Sequence, residues 1–443
     1  MSRLSASLLQ WRSLLPWLVL IMWVGSFAHL LFDVQLAQNI AGLTAAAIAL
    51  FALFTTSGTP RKTLIVLGGC ALLVSSVSGT LAPLWNGVVR ASLFASFLAS
   101  LFALSALVRM SSRIESIQDT FDSQPQPGRS GVLQFLGLVF AVPLAVGAVG
   151  VVSPLISSQR TGRDRVTDAS WAMRGMGLAV LFSPFTVAMG VATSASDKDL
   201  PIGWLMSCGL IMALTLFLIP FFRGQCVLPG QLRGKFSRDL IVMLGPVLLL
   251  ICLNMAIVFW VDVTPLQAAV LTVLPFSLFA AGLSGTGALR LVKDHVQGAW
   301  RHFDGEIAVF VASLCFAQAV ANVPAIELVV ASLAGIMGPT ALIILSLLMI
   351  LLLAMVGVHM VVTATLFVTV FSPSMTSDVQ SVFLALAALL GWSLGTMIAP
   401  GSLAFVTACR VLQVPSKKVA LDINLIFSVC SLLLFALAAI MIT

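Results

Sequence analysis

The chain has 443 residues, of which 60% are hydrophobic and only 9% charged, and its mean hydropathy is +1.10. A soluble globular protein carries about a quarter charged residues, so that class is excluded; a disordered or fibrous chain would show charge blocks or a short repeat, and neither occurs. The 23 Lys and Arg against 16 Asp and Glu leave a net charge of +7, which reads as basic cytoplasmic loops, since Lys and Arg hold loops on that side, rather than as a nucleic-acid footprint.

The apolar runs are long and continuous. A transmembrane barrel would show alternating segments of about ten residues, whereas a helical span needs about 20. The expected fold is therefore an all-α polytopic membrane protein with about ten to twelve transmembrane segments. The seven cysteines form no C-x-x-C pair and mostly lie inside apolar runs, so they read as buried thiols rather than disulfides or a metal site. Tyrosine is absent. Any interfacial aromatic belt must then use Trp and Phe, and Trp11, Trp85, Trp171, Trp204, Trp260 and Trp300 stand near run ends, where a belt needs them.

The first run, 14–32, ends in Ala28-His29-Leu30-Leu31-Phe32 without a small-residue cleavage pattern, and reads as an uncleaved helix behind a cytoplasmic N-terminus. Runs at 37–55, 64–83 and 90–108 follow, with Arg61 and Lys62 between the first two. The stretch 109–131 is the most polar in the chain; with Arg109, Arg113 and Arg129 it reads as a cytoplasmic loop or surface helix. After the run 132–156 comes a second basic cluster, Arg160, Arg163, Arg165 and Arg174. One span cannot join two cytoplasmic clusters, so 132–156 is expected to be a re-entrant hairpin, which Pro143, Gly147, Gly150 and Pro154 permit.

A run over 174–195 ends at the polar turn Asp197-Lys198-Asp199, and 202–222 leads to a basic loop with Arg223, Arg233, Lys235 and Arg238. Spans at 239–261 and 266–283 form a pair. The segment 284–305 is amphipathic, with Arg290, Lys293, His295, Arg301 and His302, and reads as an interfacial cytoplasmic helix. The final third contains two overlong runs. A straight helix over 341–370 would reach about 45 Å against a hydrocarbon core of about 30 Å. Residues 379–409 pose the same problem, and Gly391, Gly395, Pro400 and Gly401 interrupt them. Irregular backbone at membrane depth survives only where protein or a water-filled cavity satisfies it, so the lengths alone suggest a solute pathway.

Two segments share a pattern. One runs from Arg174 through Ser183-Pro184-Phe185-Thr186 to Ser194; the other from Gly391 through Ala399-Pro400-Gly401-Ser402 to Arg410. Each has a broken run upstream, with Ser153-Pro154 in one case and Gly357-Val358-His359 before Thr363 in the other. Interrupted helices in matching positions are a pointer to a transporter's binding site. The alternative is that Gly, Ser, Thr and Pro merely serve tight helix contacts. His359 is the only ionisable residue deep in a long run. It can relay protons or donate to a carboxylate, or simply sit neutral on a backbone carbonyl. Arg174 and Arg410 can attract an anion or anchor the chain by snorkelling. Glu327, with Gln318 and Asn322 one turn apart, can line a gate or lie in an extramembrane turn; Asp33 and Asp422 read as interfacial. No P-loop, H-E-x-x-H or G-x-S-x-G occurs, so no enzyme activity, cofactor or bound metal is expected.

These residues resemble the ion transporter superfamily, which includes divalent-anion symporters, arsenite permeases, gluconate permeases and the large subunits of TRAP-type transporters. The resemblance covers roughly 130–443 and rests on Ser183-Pro184-Phe185-Thr186, Gly357-Val358-His359 with Thr363, and Ala399-Pro400-Gly401-Ser402. It implies two inverted repeats, re-entrant hairpins and an elevator-like movement. On that reading 1–131 and 223–305 are scaffold, and 132–222 and 306–443 are transport regions. The family's Ser-Asn-Thr substrate motifs are not present, so a dicarboxylate is not implied. The expected function is secondary transport of a small, anionic solute across the cytoplasmic (inner) membrane, coupled to Na⁺ or H⁺. Ser153, Ser183, Thr186, His359, Thr363 and Ser402 would contact substrate or ion. A cation/proton antiporter or efflux permease on the same fold is the alternative. The expected partners are the solute and the lipid bilayer, with no nucleic acid; a homodimer is compatible with the reading.

Overall fold

The computed structural model describes residues 2–57, 59–109, 126–144, 148–153, 156, 162–194, 200–226, 235–261, 263–421 and 423–443. Arg113, Gly147, Pro154, Arg160, the Asp197 to Asp199 turn, Arg233 and Asp422 lie outside these residues.

Among the described residues all regular structure is helical. In chain order the helices are α1 (Ser2–Phe32), α2 (Gln35–Thr55), α3 (Thr59–Ser78), α4 (Ala82–Arg109), α5 (Gln126–Leu144) and α6 (Val149–Val152). Next come α7 (Arg163–Ala179), α8 (Val187–Ser194), α9 (Ile202–Phe222), α10 (Lys235–Val261), α11 (Pro265–Leu283), α12 (Thr286–Trp300) and α13 (Asp304–Ala321). The last are α14 (Pro324–Met355), α15 (Met360–Phe371), α16 (Asp378–Ile398), α17 (Leu403–Val411), α18 (Ser416–Leu421) and α19 (Ile423–Ile442). Ten of them are long and apolar enough to cross a membrane: α1 to α4, α9, α11, α13, α14, α16 and α19. The chain is thus a multi-pass, all-α membrane protein.

Local sequence sets several of these boundaries. Thr264 and Gln267 form a reciprocal capping box with Pro265 at the first helical position of α11, a combination that satisfies otherwise free N–H groups. Ser377 caps α16 by accepting from Gln380 N. α14 changes direction at Gly338, whose φ is +75°. The overlong run 341–370 breaks between Met355 and Met360, and 379–409 breaks between Ile398 and Leu403, as their lengths require. α5 ends at Leu144 within the 132–156 run, and the four-residue α6 follows.

The chain folds as two compact units, residues 1–107 with 252–329, and 108–251 with 330–443. In the first, α1 and α2 form a hairpin in which Trp11 stacks on Phe51 at 4.0 Å. Trp23 Nε1–H donates to Ser100 Oγ at 2.8 Å and Ser96 Oγ–H to Ser26 Oγ at 2.9 Å, fastening α1 to α4. α13 lies along α4, with Phe94 stacked on Phe310 and Phe102 edge-on to Phe303. At their crossing a Cβ on Gly87 would stand 2.5 Å from Cys315 Cα. Lipid gives helices little hydrophobic reason to associate, so such close backbone approach carries the packing. Asn322 closes α13, its Nδ2–H donating to Gln318 O at 2.8 Å. This pair therefore caps a helix end; Glu327 lies four residues into α14.

In the second unit α16 is the centre: every residue from Ser381 to Ile398 is buried. α7, α8, α9, α15, α17, α18 and α19 all pack on it. By contrast α9 and α19 expose apolar faces, including Ile211, Leu214, Leu433 and Ile440, as lipid-facing helices do.

Two expectations need correction. Of the tryptophans assigned to an interfacial belt, Trp204 and Trp260 are exposed, but Trp11, Trp171 and Trp300 are buried by partners within the fold. The cysteines are all free, yet Cys226, Cys315 and Cys409 alone are buried, and Cys252 and Cys430 are exposed on apolar helix faces.

Gly87→Ala should lower the stability of the purified protein in detergent by about 1–3 kcal/mol, the usual cost of overpacking. Gly69→Ala, with nothing within 4 Å of the added Cβ, should not lower it. Thermal unfolding of the two variants checks this.

Candidate functional site

Among the described residues of the second unit, three helix breaks are 180–186 between α7 and α8, 356–359 between α14 and α15, and 399–402 between α16 and α17. Ser183 Oγ–H, in the first, donates to Val142 O near the end of α5. The other two meet: Gly401 N–H donates to Ala354 O, just before the 356–359 break, at 2.9 Å. A Cβ on Gly401 would overlap the Val358 carbonyl oxygen, so only glycine permits this contact; Gly357 beside it has φ +99°. α8 packs on both α15 and α16, while α17 touches α6 and α7.

The sequence-selected residues mostly hold the helix restarts. Thr186 Oγ1 accepts from Met189 N at 3.2 Å at the start of α8. His359 Nδ1 accepts from Val361 N at 3.2 Å and is the N-cap of α15. Ser402 Oγ accepts from Phe405 N at 3.2 Å and is the N-cap of α17. Each cap takes one of the four N–H groups that a helix start leaves without an internal partner. Ser183 Oγ also accepts from Phe185 N, at 3.2 Å, and the Ser183 carbonyl accepts from Thr186 Oγ1–H. Thr363 is buried in the first turn of α15, where its hydroxyl donates to Met360 O at 3.3 Å. Ser153 is the C-cap of α6. The imidazole geometry has a chemical consequence. Because Nδ1 accepts, the proton of the neutral ring is on Nε2, and protonating Nδ1 would abolish the cap. The arrangement suits a donor at Nε2 better than a proton relay.

Arg174 neither snorkels nor stands open to an anion. It is buried, its Nε–H donates to Asn424 Oδ1 at 3.2 Å and its NH2 group to Ile423 O at 3.1 Å. Its guanidinium lies 4.3 Å from the ring centres of both Trp171 and Phe427. Asn424 Nδ2–H returns a bond to Ser170 O at 3.0 Å. α7 and α19 are thereby clamped together. Arg410 is exposed in the last turn of α17.

Sequence reasoning missed the polar network beside this clamp. Arg129, expected in a cytoplasmic loop, lies in α5, buried, with NH2 3.8 Å from the buried Asp168 Oδ2. Gln134 is fully buried and donates to Phe217 O at 3.3 Å, and Cys226 Sγ–H points to Gln134 Oε1 at 3.8 Å. Burial pushes the Cys226 thiol up to about 12, against an opposing pull from the Arg174 charge, so it stays protonated. Asp168 four residues after Asp164, on the same helix face as neighbouring Arg165 and Trp171, offered no distinguishing sequence signal; only the docking of α5 buries it with a partner.

Compared with known proteins, the chain matches no protein-family model and no curated sequence.

Ser402→Ala should cost about 1 kcal/mol of stability through the lost cap, whereas Ser402→Asn should preserve it; thermal melts distinguish the two. Arg174→Lys should be far more disruptive, on the order of 3 kcal/mol, because an ammonium cannot reproduce the fork or stack between two rings.

Proposed function

We propose that the chain is a secondary active transporter that moves a small anionic solute across the cytoplasmic membrane, coupled to Na⁺ or H⁺. The observation that carries this reading is the set of helix breaks within one unit, two of them joined through Gly401 and Ala354, with restarts capped by Thr186, His359 and Ser402. Each restart presents a positive helix end of about half a charge, and each interrupted helix releases carbonyls suited to a cation. Serine and threonine hydroxyls at the breaks supply both donors and acceptors, and His359 Nε2–H supplies a neutral donor toward a carboxylate or oxyanion. Ser153 and Thr363 complete the proposed contact set. The resemblance to the ion transporter superfamily supports inverted repeats, an elevator-like movement and a dimer as parts of the same proposal.

A thermal-shift screen of the purified protein over organic and inorganic anions, with and without Na⁺, tests it. A ligand at 100 times its Kd should stabilise the folded protein by about 2.7 kcal/mol. His359→Asn keeps a good cap while removing the Nε2 donor, so it should retain the unliganded melting point but lose the anion-dependent shift and vesicle uptake. Normal uptake by that variant removes His359 from the site. Proton release driven by Na⁺ alone, with no anion effect, replaces the symporter reading with an antiporter.

A further inference from the structure

We infer that the first unit carries a binding surface for anionic phospholipid headgroups, formed by the start of α3 and the C-terminal end of α12. α12 is amphipathic. Val292, Val296 and Trp300, four residues apart, are its buried stripe, and Trp300 Nε1–H donates to Ala99 O at 3.2 Å. The helix is therefore already fixed to the unit, and holding a ligand there costs little further ordering. Its exposed residues include Lys293 and, just past its end, Arg301 and His302.

The start of α3 comes to the same place. Pro60 packs on Gly305, where an added Cβ would stand 3.5 Å from the proline ring. Arg61 and Lys62, both exposed, thus emerge beside the junction that Arg301 and His302 leave. The nearest carboxylate in sequence does not neutralise them: Asp304 is buried and accepts a hydrogen bond from the Thr55 hydroxyl. Asp294 stands four residues from Arg290 on one helix face and offsets that charge. Arg61, Lys62 and Arg301 form the remaining cationic group.

Exposed apolar side chains accompany the charges: Ile65 and Val66, one turn into the α3 span from Arg61 and Lys62, are 54% and 59% exposed. A basic set at the start of a span whose exposed face turns apolar within one turn matches a lipid, with its phosphate and its acyl chain, better than a soluble acidic partner. The surface is independent of the solute carried, and its test reads binding rather than transport.

The unfolding midpoint of the full chain in uncharged detergent is titrated with phosphatidylglycerol or phosphatidylcholine. Phosphatidylglycerol should raise the midpoint and phosphatidylcholine should not. The triple variant Arg61→Gln, Lys62→Gln, Arg301→Gln should need about a hundredfold more phosphatidylglycerol for the same rise, at roughly fivefold per charge. Arg223→Gln, an exposed basic position in the second unit, should respond as the unmodified chain does, and so should Arg61→Lys with Arg301→Lys. Salt at 1 M should abolish the effect in the unmodified chain, a readout that holds even if the triple variant fails to fold. Equal responses to both lipids, an unchanged triple variant, or a full effect at 1 M salt overturns the proposal. An equal rise with inorganic phosphate overturns the lipid assignment in favour of a free-anion site.

Discussion

A helix that stops inside an apolar surrounding leaves four N–H groups at each new start and four carbonyls at each end, with no water to take them. The second unit is organised around that constraint. Where its helices are interrupted, the freed groups find partners on neighbouring segments. The Ser183 hydroxyl donates to the Val142 carbonyl, and the Gly401 N–H donates to the Ala354 carbonyl. Thr186, His359 and Ser402 cap the helices that resume. Removing any of these groups exposes a polar atom to a surrounding that cannot solvate it, at a cost of about 1–3 kcal/mol.

The same constraint governs the buried charges. Arg174 is tolerated because its donors are used by Asn424 and Ile423 and its faces are covered by Trp171 and Phe427. Arg129 and Asp168 enter the interior together. Breaking such an arrangement leaves an uncompensated charge, so the network ties α5, α7 and α19 into one body, next to the breaks. The first unit solves its packing differently, with small residues at helix crossings and serine hydroxyls shared between helices, and keeps its surplus positive charge on the outside.

Several features were legible in the residues themselves. The lengths of 341–370 and 379–409 exceed what a bilayer accommodates, and both runs break where Gly357 and Pro400-Gly401 stand. The amphipathic segment before Asp304 is a separate helix with one buried stripe. Ser183, Thr186, His359 and Ser402 lie at the breaks, whereas Ser153 ends α6 and Thr363 lies in the first turn of α15. Their local bonding was not legible: capping depends on where a helix resumes, which a propensity argument places only within a residue or two. Tryptophan placement misled for a related reason. Trp171 and Trp300 stand near run ends, but a run end can face a neighbouring helix as easily as a headgroup, and a side-chain partner decides which.

Composition and run length alone determined the solvent, the all-helical architecture and the places where helices must fail, because each follows from matching an apolar length to a fixed thickness. Which breaks meet, which arginines are interior, and which tryptophans are buried were decided only by tertiary structure. Those outcomes depend on pairs of groups distant in the chain, Arg174 with Asn424 or Gly401 with Ala354, and a single-residue pattern carries no information about the partner it will meet.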